Sequence, residues 1–171
     1  VFAAHTLLFF YSQQYFADFG YNKVQISVIM LLVGGASCLG ALASEKMYRR
    51  FGKRCLIPET VIIAAAILCY GSGKAGVAAA ALMCAGFANA ALYPIQSDSL
   101  NALIPSEQRA TLISVDSMCF SIAMIVLFPL AGALADRWGL KTVLLLLGAI
   151  LLLFLLTVFC IEKESFSSDH S

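Results

Sequence analysis

Charge is scarce in this sequence: Asp, Glu, Lys and Arg together make up 12% of its 171 residues, about half of what a soluble globular chain carries. Apolar residues fill the space at 61%, with a mean hydropathy of +0.89. A water-soluble single domain, a disordered chain and a collagen-like repeat are all excluded by such a composition. An excess of either sign is also missing, since 11 Lys plus Arg stand against 10 Asp plus Glu. The broad basic surface that nucleic acid requires is therefore lacking, and no nucleic-acid partner is expected.

Clustered ligands and nucleophiles are lacking too. The six cysteines, at 38, 55, 69, 84, 119 and 160, are scattered through apolar stretches without a C-x-x-C pair or a Cys/His cluster. They read as small buried hydrophobes, not as zinc ligands or a disulfide framework, so neither a metal nor another cofactor is expected. There is no G-x-S-x-G elbow and no H-E-x-x-H, and Gly71-Ser-Gly-Lys74 lacks the spacing of a phosphate loop. No enzyme activity is expected. The chain enters an apolar run at Val1 with no charged flank before it, which reads as a cut inside a helix of a longer protein.

What the sequence does have is long apolar runs. A bilayer core of about 30 Å takes roughly 20 residues of helix, and six such runs occur, at approximately 1–17, 24–43, 56–72, 76–97, 110–133 and 141–161. They are too long for strands and show no alternation of period two, and in lipid only helices or closed barrels satisfy the backbone. The expected fold class is an all-α membrane protein of six transmembrane helices seated in the lipid bilayer. Residues 1–161 form the bundle, and 162–171 a short, solvated and mostly disordered polar tail. The basic residues Lys46, Arg49, Arg50, Lys53, Arg54, Arg109 and Lys163 fall on one side, against Lys23, Lys74, Arg137 and Lys141 on the other. The positive-inside rule makes the first side, with the C-terminus, cytoplasmic.

Gly40-Ala-Leu-Ala43 ends the second run and Gly132-Ala-Leu-Ala135 the fifth, 92 residues apart, each followed by a basic turn with an aromatic residue and Gly. Two readings stand: chance in a chain rich in these residues, or an inverted three-plus-three repeat with the second and fifth helices as counterparts. Ala36, Gly40 and Ser44 also form a small-residue stripe that suits close helix packing.

The loop from Gly40 through Arg49-Arg-Phe-Gly-Lys-Arg54 is similar to the G-x-L-x-D-R-x-G-R-K loop of the major facilitator superfamily. Two further segments extend the resemblance, Pro105-Ser-Glu-Gln-Arg109 and Pro129-Leu-Ala-Gly132-Ala-Leu-Ala-Asp-Arg-Trp-Gly139. Where the loop pattern has Asp, this sequence has Ser44 followed by Glu45, with a longer stretch before Gly52. The resemblance is to the C-terminal six helices of a twelve-helix carrier. It implies secondary active transport of a small-molecule substrate by alternating access against an N-terminal half of the same protein. A proton-coupled permease or exporter of the plasma membrane is the expectation. A non-transporting sensor or scaffold and a half-size carrier acting as a dimer are the alternatives.

Polar residues inside the runs are the candidate pathway. Asp116 lies seven residues past Arg109 among Leu112, Ile113, Cys119 and Phe120, where a carboxylate is unfavourable by about 2.5–3.5 kcal/mol on insertion scales. It faces either a cavity or a packing partner on another helix. Asn89, Tyr93 and Gln96 share one face around Pro94, where a kink is expected, and read as a substrate path or an interhelical contact. His5 counts to a depth similar to Asn89 and Asp116, which raises proton coupling through His and Asp, while Gln13 and Gln14 lie nearer the outside. Arg49, Arg50, Lys53, Arg54 and Arg109 read as topology signals and lipid contacts, or as a gate.

Overall fold

A computed structural model describes residues 2–51, 56–103 and 108–168, nearly all of them helical. The helices are α1 (Phe2–Asp18), α2 (Lys23–Phe51), α3 (Leu56–Cys69), α4 (Ala75–Leu103), α5 (Arg109–Trp138) and α6 (Leu140–Ser168), with a 3-10 turn at Tyr70–Ser72 after α3. Among the described residues there is no strand. Among the described residues four helices, α2, α4, α5 and α6, are long and apolar enough to cross a membrane by length and composition. The other two are shorter, α1 at 17 residues and α3 at 14.

Three of the links are short and chemically defined. The α1 helix stops in a Schellman motif: Gly20 takes φ 82°, its N–H donates to the Ala17 carbonyl at 2.9 Å and the Tyr21 N–H to the Phe16 carbonyl at 3.1 Å. The Tyr21 ring closes the motif on Phe16, with centroids 5.9 Å apart. Immediately afterwards Asn22 and Gln25 cap α2 reciprocally, each side chain accepting from the other's backbone N–H at 2.9 Å. Gly73 turns the chain into α4, and Gly139 alone joins α5 to α6 with φ 81°.

Several helices outrun the apolar runs that announced them. The α2 helix continues to Phe51, α4 passes through Pro94 to Leu103, and α6 continues to Ser168. Apolarity ends where lipid is expected to end, whereas a helix ends where its backbone loses partners or meets a breaker. Ser44 to Arg50 and Glu162 to Ser168 contain no Gly or Pro. On α2 the projecting turn carries an ion pair, Arg49 to Glu45 at 3.1 Å. The segment after Ile161, expected as a mostly disordered tail, is helical as far as Ser168.

The core lies where α1, α3, α4 and α6 meet. Leu8, Phe16, Ile63, Ile67, Leu82 and Leu144 are fully enclosed there. A smaller cluster of Ala91, Leu92 and Ile95 joins α4 to Met47 of α2. The outer faces of α2, α5 and α6 instead present large apolar side chains such as Leu31, Leu42, Ile125 and Phe154. Apolar surface on this scale is stable only against an apolar surrounding.

The expected small-residue stripe on α2 packs against α4. A Cβ on Gly40 would stand 2.2 Å from the Phe87 carbonyl oxygen, and one on Gly86 would stand 2.9 Å from Ser37 Oγ. The backbones touch because neither glycine carries a side chain. Gly132, the counterpart of Gly40 in the echoed motif, faces α1: a Cβ there would lie 3.2 Å from the Tyr11 hydroxyl. That hydroxyl donates to the Phe128 carbonyl at 2.8 Å, fixing α1 to α5.

A second polar contact fixes α1 to the turn after α3. Ser12 and Tyr70 are both fully enclosed, with Ser12 Oγ 2.7 Å from the Tyr70 hydroxyl. Ser12 also bonds to the Leu8 carbonyl, which uses its proton, so Tyr70 is the donor to Ser12. The Tyr15 hydroxyl donates to the Tyr70 carbonyl at 2.9 Å.

Two pairs of substitutions test these contacts, each variant by thermal unfolding of the purified protein followed by circular dichroism. Gly40→Ala destabilises by about 3 kcal/mol or more, because the obstructing atom is backbone and cannot rotate away. Gly34→Ala, where a Cβ meets nothing within 4 Å, is neutral or stabilising by up to about 1 kcal/mol. Ser12→Ala strands the buried Tyr70 donor and costs about 1–3 kcal/mol, whereas Tyr70→Phe removes donor and need together and costs about 1 kcal/mol or less. The double variant loses less than the sum of the two.

Candidate functional site

Two clefts open at the end of the bundle opposite the Gly20, Gly73 and Gly139 links, one on either side of α4. The first, about 470 Å³, lies between the start of α1, the second half of α4 and the first half of α5. Asp116, Ser117 and Ser121 line it from α5, and Tyr93, Gln96 and Ser97 from α4. Phe2 closes it at the α1 side, its ring centroid 5.7 Å from that of Tyr93 and 4.9 Å from that of Phe120. The three rings thus touch across three helices.

The local sequence explains the convergence. On α5, positions 113, 116, 117, 120 and 121 fall on one face at helical spacing, and this face carries the carboxylate and two serines in an otherwise apolar stretch. Tyr93, Gln96 and Ser97 do the same on α4. Among the described residues no Lys or Arg lines the cleft; Arg109 begins α5 seven residues before Asp116, about 10 Å along the axis. The cleft therefore presents one carboxylate, an amide and several hydroxyls against aromatic and aliphatic walls. Such a set can bind and orient a small molecule.

Of the residues singled out in the sequence, Asp116, Tyr93 and Gln96 meet here. Asn89 and His5 do not line this cleft. Asn89 is half-buried two turns before Gln96. His5 is half-buried one turn beyond Phe2, and its Nε2 is enclosed without a hydrogen-bond partner. The depth count placed Asn89 level with Asp116 because it took α4 to end near 97. The helix runs on to Leu103, which brings Gln96, seven residues from that end, level with Asp116, seven from Arg109. Gln13 is exposed, and Gln14 donates to Asp18 at 2.8 Å near the Gly20 link. Both lie roughly 17 Å along α1 from Phe2.

The second cleft, about 530 Å³, lies between α2 and α4. Ser44, Glu45 and Tyr48 face Pro94, Ile95 and Asp98 across it. Arg49 stands beside this cleft, paired with Glu45 and exposed; Arg50 is exposed at the end of the same helix. Lys53 and Arg54 lie outside the described residues. Sequence reasoning missed the wall residues Phe2, Phe120, Ser121 and Tyr48. Tyr48 had a signal, since it continues the stripe of Gly40 and Ser44 at a spacing of four. Phe2 had none, because nothing local to α1 tells which helices its first turn touches.

Compared with known proteins, the sequence profile described as Major Facilitator Superfamily matches residues 1–169. No curated protein and no solved structure matches the sequence. The family match spans nearly the whole chain and agrees with an all-helical bundle whose longest helices suit a bilayer. The chain belongs to the Major Facilitator Superfamily, a family of membrane transporters.

Proposed function

We propose that the Asp116 cleft is part of the pathway along which a small molecule is carried by alternating access. The bundle serves as the C-terminal half of the carrier and rocks against an N-terminal half. The observation that carries this reading is the setting of Asp116: an ionisable side chain two turns into an apolar helix opens on a cleft instead of being locked to a neighbour. The bareness of α5 supports it as well. Met124 is its one buried residue among the described side chains, which suits a helix that meets a second bundle.

The reciprocal placement of Gly40 against α4 and Gly132 against α1 supports an inverted repeat, in which the second helix of each triplet packs on the first helix of the other. In this reading all six helices span the plasma membrane. The end bearing Arg49, Arg50 and Arg109 faces the cytoplasm, and so does the C-terminus. Protons supply the drive through Asp116, with His5 one turn above the cleft, in a permease or an exporter.

Reconstituted in vesicles and given an inward proton gradient, the full-length protein is expected to move at least one member of a panel of radiolabelled drugs and metabolites. Asp116→Asn is expected to lower the gradient-driven rate at least about tenfold with the circular-dichroism spectrum unchanged. An unaltered rate in that variant overturns the coupling role, and no gradient-dependent movement of any compound overturns transport.

A further inference from the structure

We infer that the Asp116 cleft selects lipophilic organic cations, with an ammonium or phosphonium centre held between the Asp116 carboxylate and the rings of Phe2, Tyr93 and Phe120. This deepens the transport reading by naming a substrate class, and rests on that reading for movement but not for binding.

Charge decides the sign of the ligand. Among the described residues Asp116 is the one carboxylate lining the cleft and no Lys, Arg or His lines it, and the nearest cation on its own helix, Arg109, is two turns away. An anion would meet an unscreened carboxylate in an apolar setting, and a neutral ligand would displace water from that carboxylate without replacing its partner. A cation supplies the missing partner. The neighbouring cleft also carries carboxylates, Asp98 and the Glu45 paired with Arg49 at 3.1 Å, but among its described lining residues Tyr48 is the one aromatic ring.

The walls decide the rest. Aromatic faces carry negative potential and attract cations within about 6 Å of the ring centre. Phe2 sits 5.7 Å from Tyr93 and 4.9 Å from Phe120, tilted by 31° and 49°, so three rings in different planes line one volume. Ile113 adds aliphatic wall, while Ser117 and Ser121 offer oxygens to any N–H the cation bears. A volume of about 470 Å³ lies in the range of drug-sized ligands, about 300–1,000 Å³. Small inorganic ions would leave it mostly unfilled.

Tetraphenylphosphonium and tetraphenylborate provide the test, since they match in size and shape and differ in sign. Each is titrated alone, by calorimetry without any ion gradient, into the full-length protein in nanodiscs of zwitterionic lipid. Tetraphenylphosphonium is expected to bind saturably and tetraphenylborate at least about tenfold more weakly. Asp116→Asn weakens the phosphonium at least about tenfold, Tyr93→Ala about threefold, and Asp116→Glu retains it within about threefold. Asp136→Asn, at the far end of α5, leaves it unchanged.

Equal affinity for the two ions, or full phosphonium affinity in Asp116→Asn, overturns the inference. The wild-type comparison decides even if a variant fails to fold. Phosphonium binding without gradient-driven flux would sink the transport reading alone, and flux confined to anionic or neutral compounds would sink the cation site alone.

Discussion

The position of everything at the open end of the bundle depends on the contact between Gly40 of α2 and the Phe87 carbonyl of α4. In lipid, helices gain nothing from hiding apolar surface from each other, so they associate through close packing of small residues. The glycine lets the two backbones meet, and the more extensive packing of α2 on α4 than on any other helix follows from it. Once α4 is held on that side, Tyr93, Gln96 and Ser97 face the gap toward α5, while Pro94, Ile95 and Asp98 face the gap toward α2. One backbone contact thereby sorts a single stretch of α4 into the walls of two clefts.

Polar groups in this chain fall into two kinds. Ser12, Tyr15, Tyr70 and Tyr11 each place a hydroxyl on a specified acceptor or donor and tie α1 to the 3-10 turn and to α5. In an apolar surrounding such groups are expensive to leave unpaired, which makes each of them a positional lock. Asp116 instead lines an open cleft, and Ser121, which lines it too, donates only to the Ser117 carbonyl of its own helix at 2.9 Å and so ties no two helices together. The contrast lies in enclosure and not in residue type, since serine occurs in both sets.

This division explains how far the sequence was legible. Helix existence was readable because apolar runs of bilayer length have few other solutions. The Gly40 stripe was readable because helical spacing puts small residues in line without any knowledge of the partner. Helix ends were not, because Glu45, Arg49 and Glu162 sustain a helix as well as leucine does while carrying no apolar signal. That error propagated to the site: a six-residue shortfall at the end of α4 put Asn89, and not Gln96, at the level of Asp116. The Ser12 to Tyr70 bond spans 58 residues and left no local trace. The Asn22 and Gln25 cap, by contrast, was written in four consecutive residues.

Gly139 ties α5 to α6 through a single residue, and that tether acts as the fulcrum of a long lever. Asp116 sits 23 positions back along α5, about 35 Å from the tether at 1.5 Å per residue. A swing of α5 by roughly ten degrees about that point carries Asp116 sideways by about 6 Å, more than the 5.7 Å that separates the Phe2 and Tyr93 rings. The same swing moves Phe128, 11 positions from the tether, by about 3 Å, so the Tyr11 bond to its carbonyl has to break before the mouth of the cleft changes by the width of an aromatic ring.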